Sequence, residues 1–426
     1  MRVERIAVGV DADTRALAAR VRALAPASES VTDRVREIVA RVRAEGDDAL
    51  RALTRELDTR GADPPHMRVA PEELEQAEAA LPDDVRDGLR VAAANIQAVA
   101  RASLGEDAEV DLPQGQRVLV REIAVGRAAV YAPGGRAPYP STVVMGAVTA
   151  QVAGVEEVVV VTPPGAAGDV HPVVLGAAAL CGVTEVYRLG GAQAVAALAY
   201  GTDTVAAVDV IVGPGNLWVQ EAKVQCSAQV GIDGFAGPSD LLVLCDESAD
   251  PHLMALDLLA QAEHGPESVV AVAGDDAATL DAIVAEAERL SADRPSVDPA
   301  ALVVLGADTL EAALAFAEAF APEHLQLVGP RAEALAPRVT CAGCLLVGAQ
   351  SGTAFSDYVA GSNHVLPTGG AARFASALSP RHFRRRMSEV RLDGAASSLA
   401  RAGAPVARAE GFVVHAESME ARGQNG

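Results

Sequence analysis

From about residue 128 onward the chain alternates short valine-rich runs with alanine-rich stretches of helical period, and few folds accommodate that alternation. The runs fall at 128–131, 158–161, 186–188 and 208–212, then at 241–245, 268–273, 301–305, 324–328 and 345–347. Strand–helix steps at this spacing build βα units around a parallel sheet. Composition agrees: 50% of residues are apolar but only 3% aromatic. Cores made of Ala, Val and Leu suit parallel sheets covered by helices on both faces. A chain of 426 residues exceeds one core. The turn-rich segment 231–240 divides the two series. The predicted fold class is α/β, with two Rossmann-like parallel-sheet domains of similar design at 128–235 and 236–378.

Residues 1–127 read as an N-terminal helical region packed with the second α/β domain. Its charged stretch 30–105 has helical period, and Pro71 followed by Glu72 and Glu73 is a helix-start signal. Residues 379–426 read as a helical segment, basic over 380–387, followed by an extended tail. From 405 that tail holds too few apolar residues to fold alone, so it frays or docks.

The net charge of −22 argues against nucleic acid or an anionic membrane as partner. Apart from Lys223, the basic residues are all arginine, which reads as composition bias. No apolar stretch approaches the roughly 18 residues of a membrane span. Five cysteines, an odd number, fit a reducing compartment. With no signal-peptide pattern at the N-terminus, a cytoplasmic location is expected.

Chemistry concentrates where imidazole meets carboxylate or amide: Gln261-Ala-Glu-His264, Glu323-His324, Asp357 with Asn363-His364, and Glu410 with His415. This is the ligand set of a catalytic zinc or manganese, and an adjacent Glu–His pair supplies general-base chemistry. Each segment also has a plainer explanation. Gln261 and His264 share a helix face, but a histidine near a helix C-terminus is favourable on dipole grounds alone. Glu323-His324 opens a strand, where loops present functional groups, yet an exposed loop pair with no role is commoner. Asp357–His364 surrounds a glycine and also fits an Asx-turn. Three glycine segments, Tyr131–Gly135, Gly190–Gln193 and Gly213–Asn216, each follow a strand and permit close backbone approach by a phosphate or nucleotide. None is a GxGxxG fingerprint, and strand-ending glycines are ordinary turn makers. Cys341-Ala-Gly-Cys344 is a lone CxxC, better read as buried thiols than as a metal or redox site. On the residues alone a zinc hydrolase, in which Glu323 activates a metal-bound water, and a non-catalytic metal or nucleotide module both stay open.

The ordered stretches YAPGGRAPYPSTVVMGAV, YRLGGAQAVAALAYGT, VDVIVGPGN, VGIDGFAGPSDLLVL, AQAEHGPES, APEHLQL, DYVAGSNHVLPTGGAARF and AEGFVVHAES resemble the histidinol dehydrogenase family from about residue 30 to about 418. The resemblance implies an aldehyde-dehydrogenase-like fold and NAD binding without the usual glycine fingerprint, on the 128–235 side. It implies zinc on Gln261, His264, Asp357 and His415, and Glu323 and His324 as general bases. Substrate contacts would be Ser239, Gln261, His264, His324, Asp357, Glu410 and His415; NAD contacts would be Tyr131, Gln193 and Asn216. It further implies a homodimer whose tail crosses over, so that Glu410 and His415 serve the neighbour's site. The implied reaction takes L-histidinol to L-histidine through L-histidinal with two NAD. Ser356 and Asp240 depart from the family's usual Gly and Glu, and Cys341 and Cys344 stand where other small or polar residues are common; none of these carries an assigned role.

Overall fold

The structure, a computed structural model, describes residues 2–24, 30–62, 66–134, 137–234, 238–297 and 300–423. The first sheet has five parallel strands in the order Glu185–Arg188, Glu157–Thr162, Arg127–Tyr131, Val210–Val212, Gly231–Ile232. Side-chain alternation divides it cleanly. Ala128, Val130 and Val160 face one core, Ala129, Tyr131, Val159 and Val161 the other. The helix Pro140–Ala153 is apolar nearly all round and accordingly buried on almost every side. It lies so close to the sheet that a Cβ on Gly146 would stand 2.5 Å from a Val130 methyl.

That helix, Pro172–Leu180 and Gly191–Tyr200 still present apolar surface away from the sheet, which requires an outer layer. Helices of the N-terminal region supply it. Leu74, Ala77, Leu89 and Ile96 join one core of the first domain, and Val35, Ile38, Leu50 and Leu53 the other. The expectation that this region packs with the second domain is therefore corrected: apart from its first residues and a bond from Asn95 Nδ2 to the Val359 carbonyl at 2.7 Å, its described helices chiefly cover the first domain. Strand Arg2–Val8 and helix Thr14–Arg22 belong to the second domain.

The second sheet is also parallel, with six strands ordered Arg2–Val8, Ala301–Ala307, Val269–Gly274, Asp240–Cys245, His324–Val328, Cys344–Val347. Pro251–Ala262 and Ala277–Ser291 cover one face; Thr14–Arg22 and Leu310–Phe320 cover the other. The α/β class with two parallel sheets is thus present. A third, antiparallel sheet joins Arg384–Arg391, Arg117–Ala124 and Ala108–Asp111. The basic helix expected at 380–387 is absent: a short 3-10 turn, Pro380–Phe383, leads into a strand. Antiparallel backbone pairing along Arg117–Ala124 overrides local helix propensity here, with cross-strand charge pairs alongside it, Arg386 at 2.5 Å from Glu122 and Arg121 at 3.8 Å from Glu389. The tail folds back as two helices, Ala396–Ala409 and Val413–Gly423, packed through Ala400, Ala404 and Ala416. Val406, Phe412, Val413 and Val414 stay exposed on this hairpin.

Phe383 is fully buried in the first domain's core and anchors the turn that delivers strand Arg384–Arg391. Phe383→Ala should cost roughly 3–5 kcal/mol through the cavity it leaves. Urea unfolding checks this; a midpoint unchanged from the parent would show that the turn is not anchored there.

Candidate functional site

A cavity of about 1170 Å³ opens between the two parallel sheets. The sheets meet it by opposite edges. The first contributes its carboxyl ends: Tyr131, the last residue of its strand, and the glycine turns that follow two others, which carry Gln193 and Asn216. The second contributes amino ends: Ser239 just ahead of strand Asp240–Cys245, and Glu323 with His324 at the start of strand His324–Val328. Open α/β sheets ordinarily bind ligands at carboxyl ends, so only half of this site follows that rule. The amino edge offers instead backbone N–H groups that have no partner in the sheet, and these hold buried carboxylates.

Glu323 and Asp240 are tied in this way. Asp240 N–H donates to Glu323 Oε2 at 3.0 Å, and Glu323 N–H donates to Asp240 Oδ1 at 2.6 Å. The Ser239 hydroxyl also donates to Glu323 Oε2, and Gln261 Nε2 donates to Ser239 Oγ at 2.6 Å. Burial raises the pKa of Glu323, with partial relief from His324, Ser239 and Asp240. Burial and the adjacent Glu323 charge push Asp240 up to about 7.

His324 is 2% exposed, and its Nε2 lies 3.4 Å from Asp357 Oδ1 while Nδ1 lies 4.0 Å from Glu323 Oε2. Neither ring nitrogen makes an aligned hydrogen bond among the described residues. Burial works against its charged form, but Asp357, Glu323 and Asp240 together hold its pKa above the ordinary value. Partial burial would raise the pKa of the half-buried Asp357, yet contact with His324 keeps its carboxyl below the usual range.

The Asp357 loop is fixed by His364, whose Nδ1 donates to the Asp357 carbonyl at 2.8 Å. That bond leaves Nε2 to accept from the Thr142 hydroxyl at 3.0 Å, which ties the loop to the first domain. Burial lowers the pKa of His364 and so favours the neutral ring, while the carbonyl contact sets its tautomer.

Nearly every residue singled out in the sequence converges here. Ser239, His264, Glu323, His324 and Asp357 line the second-domain side of the cavity, with Gln261 bonded behind Ser239. Tyr131, Gln193 and Asn216 line the opposite side. Glu410 and His415 do not line it: they lie exposed around the tip of the C-terminal hairpin. Among the described residues of one chain, no three His, Cys, Asp or Glu side chains converge closely enough to hold a metal ion. One atom nevertheless fits a ligand role: Gln261 Oε1 is buried with no hydrogen-bond partner among the described residues. With His264 and Asp357 it forms an amide–imidazole–carboxylate donor set that suits zinc but lacks a fourth member. The sequence reading missed Asp58, Thr142 and the part His364 plays. Asp58 closes a charged helix and belongs to no motif, so nothing in the sequence marked it. It lines the cavity and accepts from Gln193 Nε2 at 3.0 Å.

Strand-ending glycine turns thus face a buried Glu–His pair across one cavity of an α/β protein, and the relatives of the chain are dehydrogenases, which are oxidoreductases. The chain belongs to the histidinol dehydrogenase family, whose model matches residues 22–423. Histidinol dehydrogenase of Natronomonas pharaonis is 44% identical over 402 residues, 92% of this chain and 94% of that protein. Its counterpart in Halobacterium salinarum is 45% identical over 402 residues, with 92% and 93% covered. The crystal structure of histidinol dehydrogenase from Elizabethkingia anophelis superposes with a TM-score of 0.92 at 29% identity, covering 99% of this chain and 98% of that one. Among the described residues no helix is long and apolar enough to cross a membrane.

Burial lifts the Asp58 carboxyl to about 6, against the hydrogen bond from Gln193, which lowers it. A pKa raised in the folded state gives stability that is complete below the unfolded value and lost as pH rises through the folded one. The ionised group therefore costs the free protein up to roughly 3 kcal/mol above pH 7. Asp58→Asn should be more resistant to urea than the parent at pH 8, with the gap closing towards pH 4. A gap that is constant across this range would contradict the assignment.

Proposed function

We propose that the chain oxidises L-histidinol to L-histidine through L-histidinal, in two steps that each reduce one NAD, as a soluble enzyme of histidine biosynthesis. The observation that carries this reading is the adjacent, buried Glu323–His324 pair facing a cavity whose far wall is built from strand-ending glycine turns. A hydrolase has no need of that far wall, and a passive binding module has no need of the acid–base pair.

His324 is the base for the alcohol proton. Its nitrogens carry no competing hydrogen bond, and the carboxylates of Asp357 and Glu323 stabilise the imidazolium that results. Glu323 is the base for the second step, taking a proton from the water that adds to the aldehyde. Its raised pKa makes it a stronger base than an exposed carboxylate, and the bonds from Ser239 and Asp240 fix which oxygen stays free for that water. Gln261, His264 and Asp357 would hold zinc, with His415 from a second copy of the chain as the fourth ligand and Glu410 beside it. When bound, zinc would supply positive charge to hold and polarise the substrate, and NAD would supply the hydride acceptor. Tyr131, Gln193 and Asn216 would contact the dinucleotide. The exposed apolar hairpin carrying Glu410 and His415 suits a tail that docks on a partner subunit.

The direct test is absorbance at the NADH band with histidinol, NAD and zinc, repeated with chelator. Two NADH per histidinol, lost on chelation, is the result expected; no NADH would leave the hydrolase. Glu323→Gln should slow oxidation of histidinal by about 10²–10⁴-fold, the range of one general base, and oxidation of histidinol far less. Equal losses with the two substrates would refute this division between Glu323 and His324.

Subunit sharing has its own check. Asp357→Asn and His415→Asn homodimers should each be nearly inactive, and co-refolding the two should restore activity in hybrids. Hybrids that form and stay inactive would place His415 in its own subunit's site.

A further inference from the structure

Lys223 is the single lysine of a chain that uses arginine for every other basic residue. It is also 1% exposed, among the most buried large side chains of the protein. Both facts have one geometric origin. Lys223 sits in helix Leu217–Cys226, and helical side chains slant towards the helix N-terminus. Its long stem reaches back to the turn that opens the helix. There Nζ donates to the Gly213 carbonyl at 3.0 Å and pairs with Asp233 Oδ1. The second oxygen, Asp233 Oδ2, accepts the Gly213 N–H at 2.6 Å. Ammonium and carboxylate thus close a ring around one residue and pin both its N–H and its C=O.

Gly213 has no freedom to answer a change in that ring. Its φ is +110°, and a Cβ there would lie 2.2 Å from the Tyr131 carbonyl oxygen. The clamp therefore fixes the turn against Tyr131 on one side and sets Asn216 on the other. Asn216 caps the helix, its Oδ1 accepting from Val219 N–H at 3.2 Å. With the amide oxygen engaged, its Nδ2 is the group left to donate into the cavity, which Asn216 and Asp233 both line. A buried ion pair of this kind is weak ground for stability, because desolvation offsets most of the attraction. A planar guanidinium cannot reproduce a compact ammonium that bridges a carbonyl and a carboxylate in an enclosed slot. A lysine persisting here alone points to a task that geometry sets.

We propose that Lys223 and Asp233 are positioning residues for the dinucleotide, acting through Gly213 to place Asn216 and the glycine turn. This rests on the reading of that wall as the NAD side.

The test uses the full-length enzyme and its Lys223→Met, Lys223→Arg and Asp233→Asn variants. Trp218, the sole tryptophan, lines the cavity two residues beyond Asn216, so its emission reports on the turn directly. Titration with NAD alone, without histidinol, should show a Kd raised about tenfold or more in both Lys223 variants, as for a displaced binding group. A smaller rise is expected for the isosteric Asp233→Asn. KM for NAD should follow while KM for histidinol stays at the parent value, a split that general loss of stability would not produce. An unchanged NAD Kd in folded Lys223→Arg or Asp233→Asn overturns the proposal, and Asp233→Asn decides alone if the lysine variants do not fold. A parent enzyme that fails to bind NAD overturns the reading of the wall as well; a parent that binds it as tightly as the variants do overturns the clamp only.

Discussion

The reciprocal bonding of Asp240 and Glu323 is the constraint around which the site is built. Two neighbouring parallel strands begin side by side, and each lends a backbone N–H to the other's carboxylate. Without those donors two carboxylates could not share a dry space. With them, Glu323 is held in one orientation and remains a proton acceptor of raised pKa. Ser239 and Gln261 extend the lock, and through Gln261 it reaches the last turn of helix Pro251–Ala262, just ahead of the turn that holds His264. Glu323, His324 and the candidate metal ligands are therefore parts of one connected unit rather than separate devices.

That unit would be inert without a second surface to face it. The first sheet turns its carboxyl ends to the cavity while the second turns its amino ends, so one supplies glycine turns and the other supplies carboxylates satisfied by backbone. The arrangement needs the first domain to be rigid, and its outer helices serve that end. They cover apolar helices whose second faces would otherwise meet water, and one of them ends at Asp58, inside the cavity. Thr142 and His364 then bridge the domains at the Asp357 loop. Domain contact and site geometry are thus settled by the same few bonds.

Much of this was legible in the sequence. The valine-rich runs marked strands that are mostly apolar, whether inner or, at 186–188 and 345–347, at a sheet edge, even where a strand buries a polar residue such as Gln326. Strand Arg117–Ala124 has no buried residue, and Arg2–Val8 lies at a sheet edge, so neither shows an uninterrupted apolar run. Arg384–Arg391 reads as a basic helix until its partner strand is known. The outer helices were recognised as helices but assigned to the wrong domain, since an apolar stripe does not say which surface it will cover. The site was legible where polar residues interrupt an apolar pattern, as at Glu323-His324 and Gln261–His264. Asp58 was not, because a carboxylate at the end of a charged helix looks like all its neighbours. Lys223 stood out only by composition, and its partners had to be seen before that oddity carried chemistry.

The proposed zinc site is an incomplete ligand set of Gln261, His264 and Asp357 beside Glu323 and His324, to be completed by another copy of the chain. Anomalous scattering at the zinc edge, from crystals grown with zinc and histidinol, is the decisive measurement. The expected result is one ion per subunit, at roughly 2.0–2.2 Å from Gln261 Oε1, a His264 nitrogen and an Asp357 oxygen, with the fourth protein ligand His415 arriving from the opposite chain. An ion bound elsewhere, or a full ligand set drawn from a single chain, would contradict it.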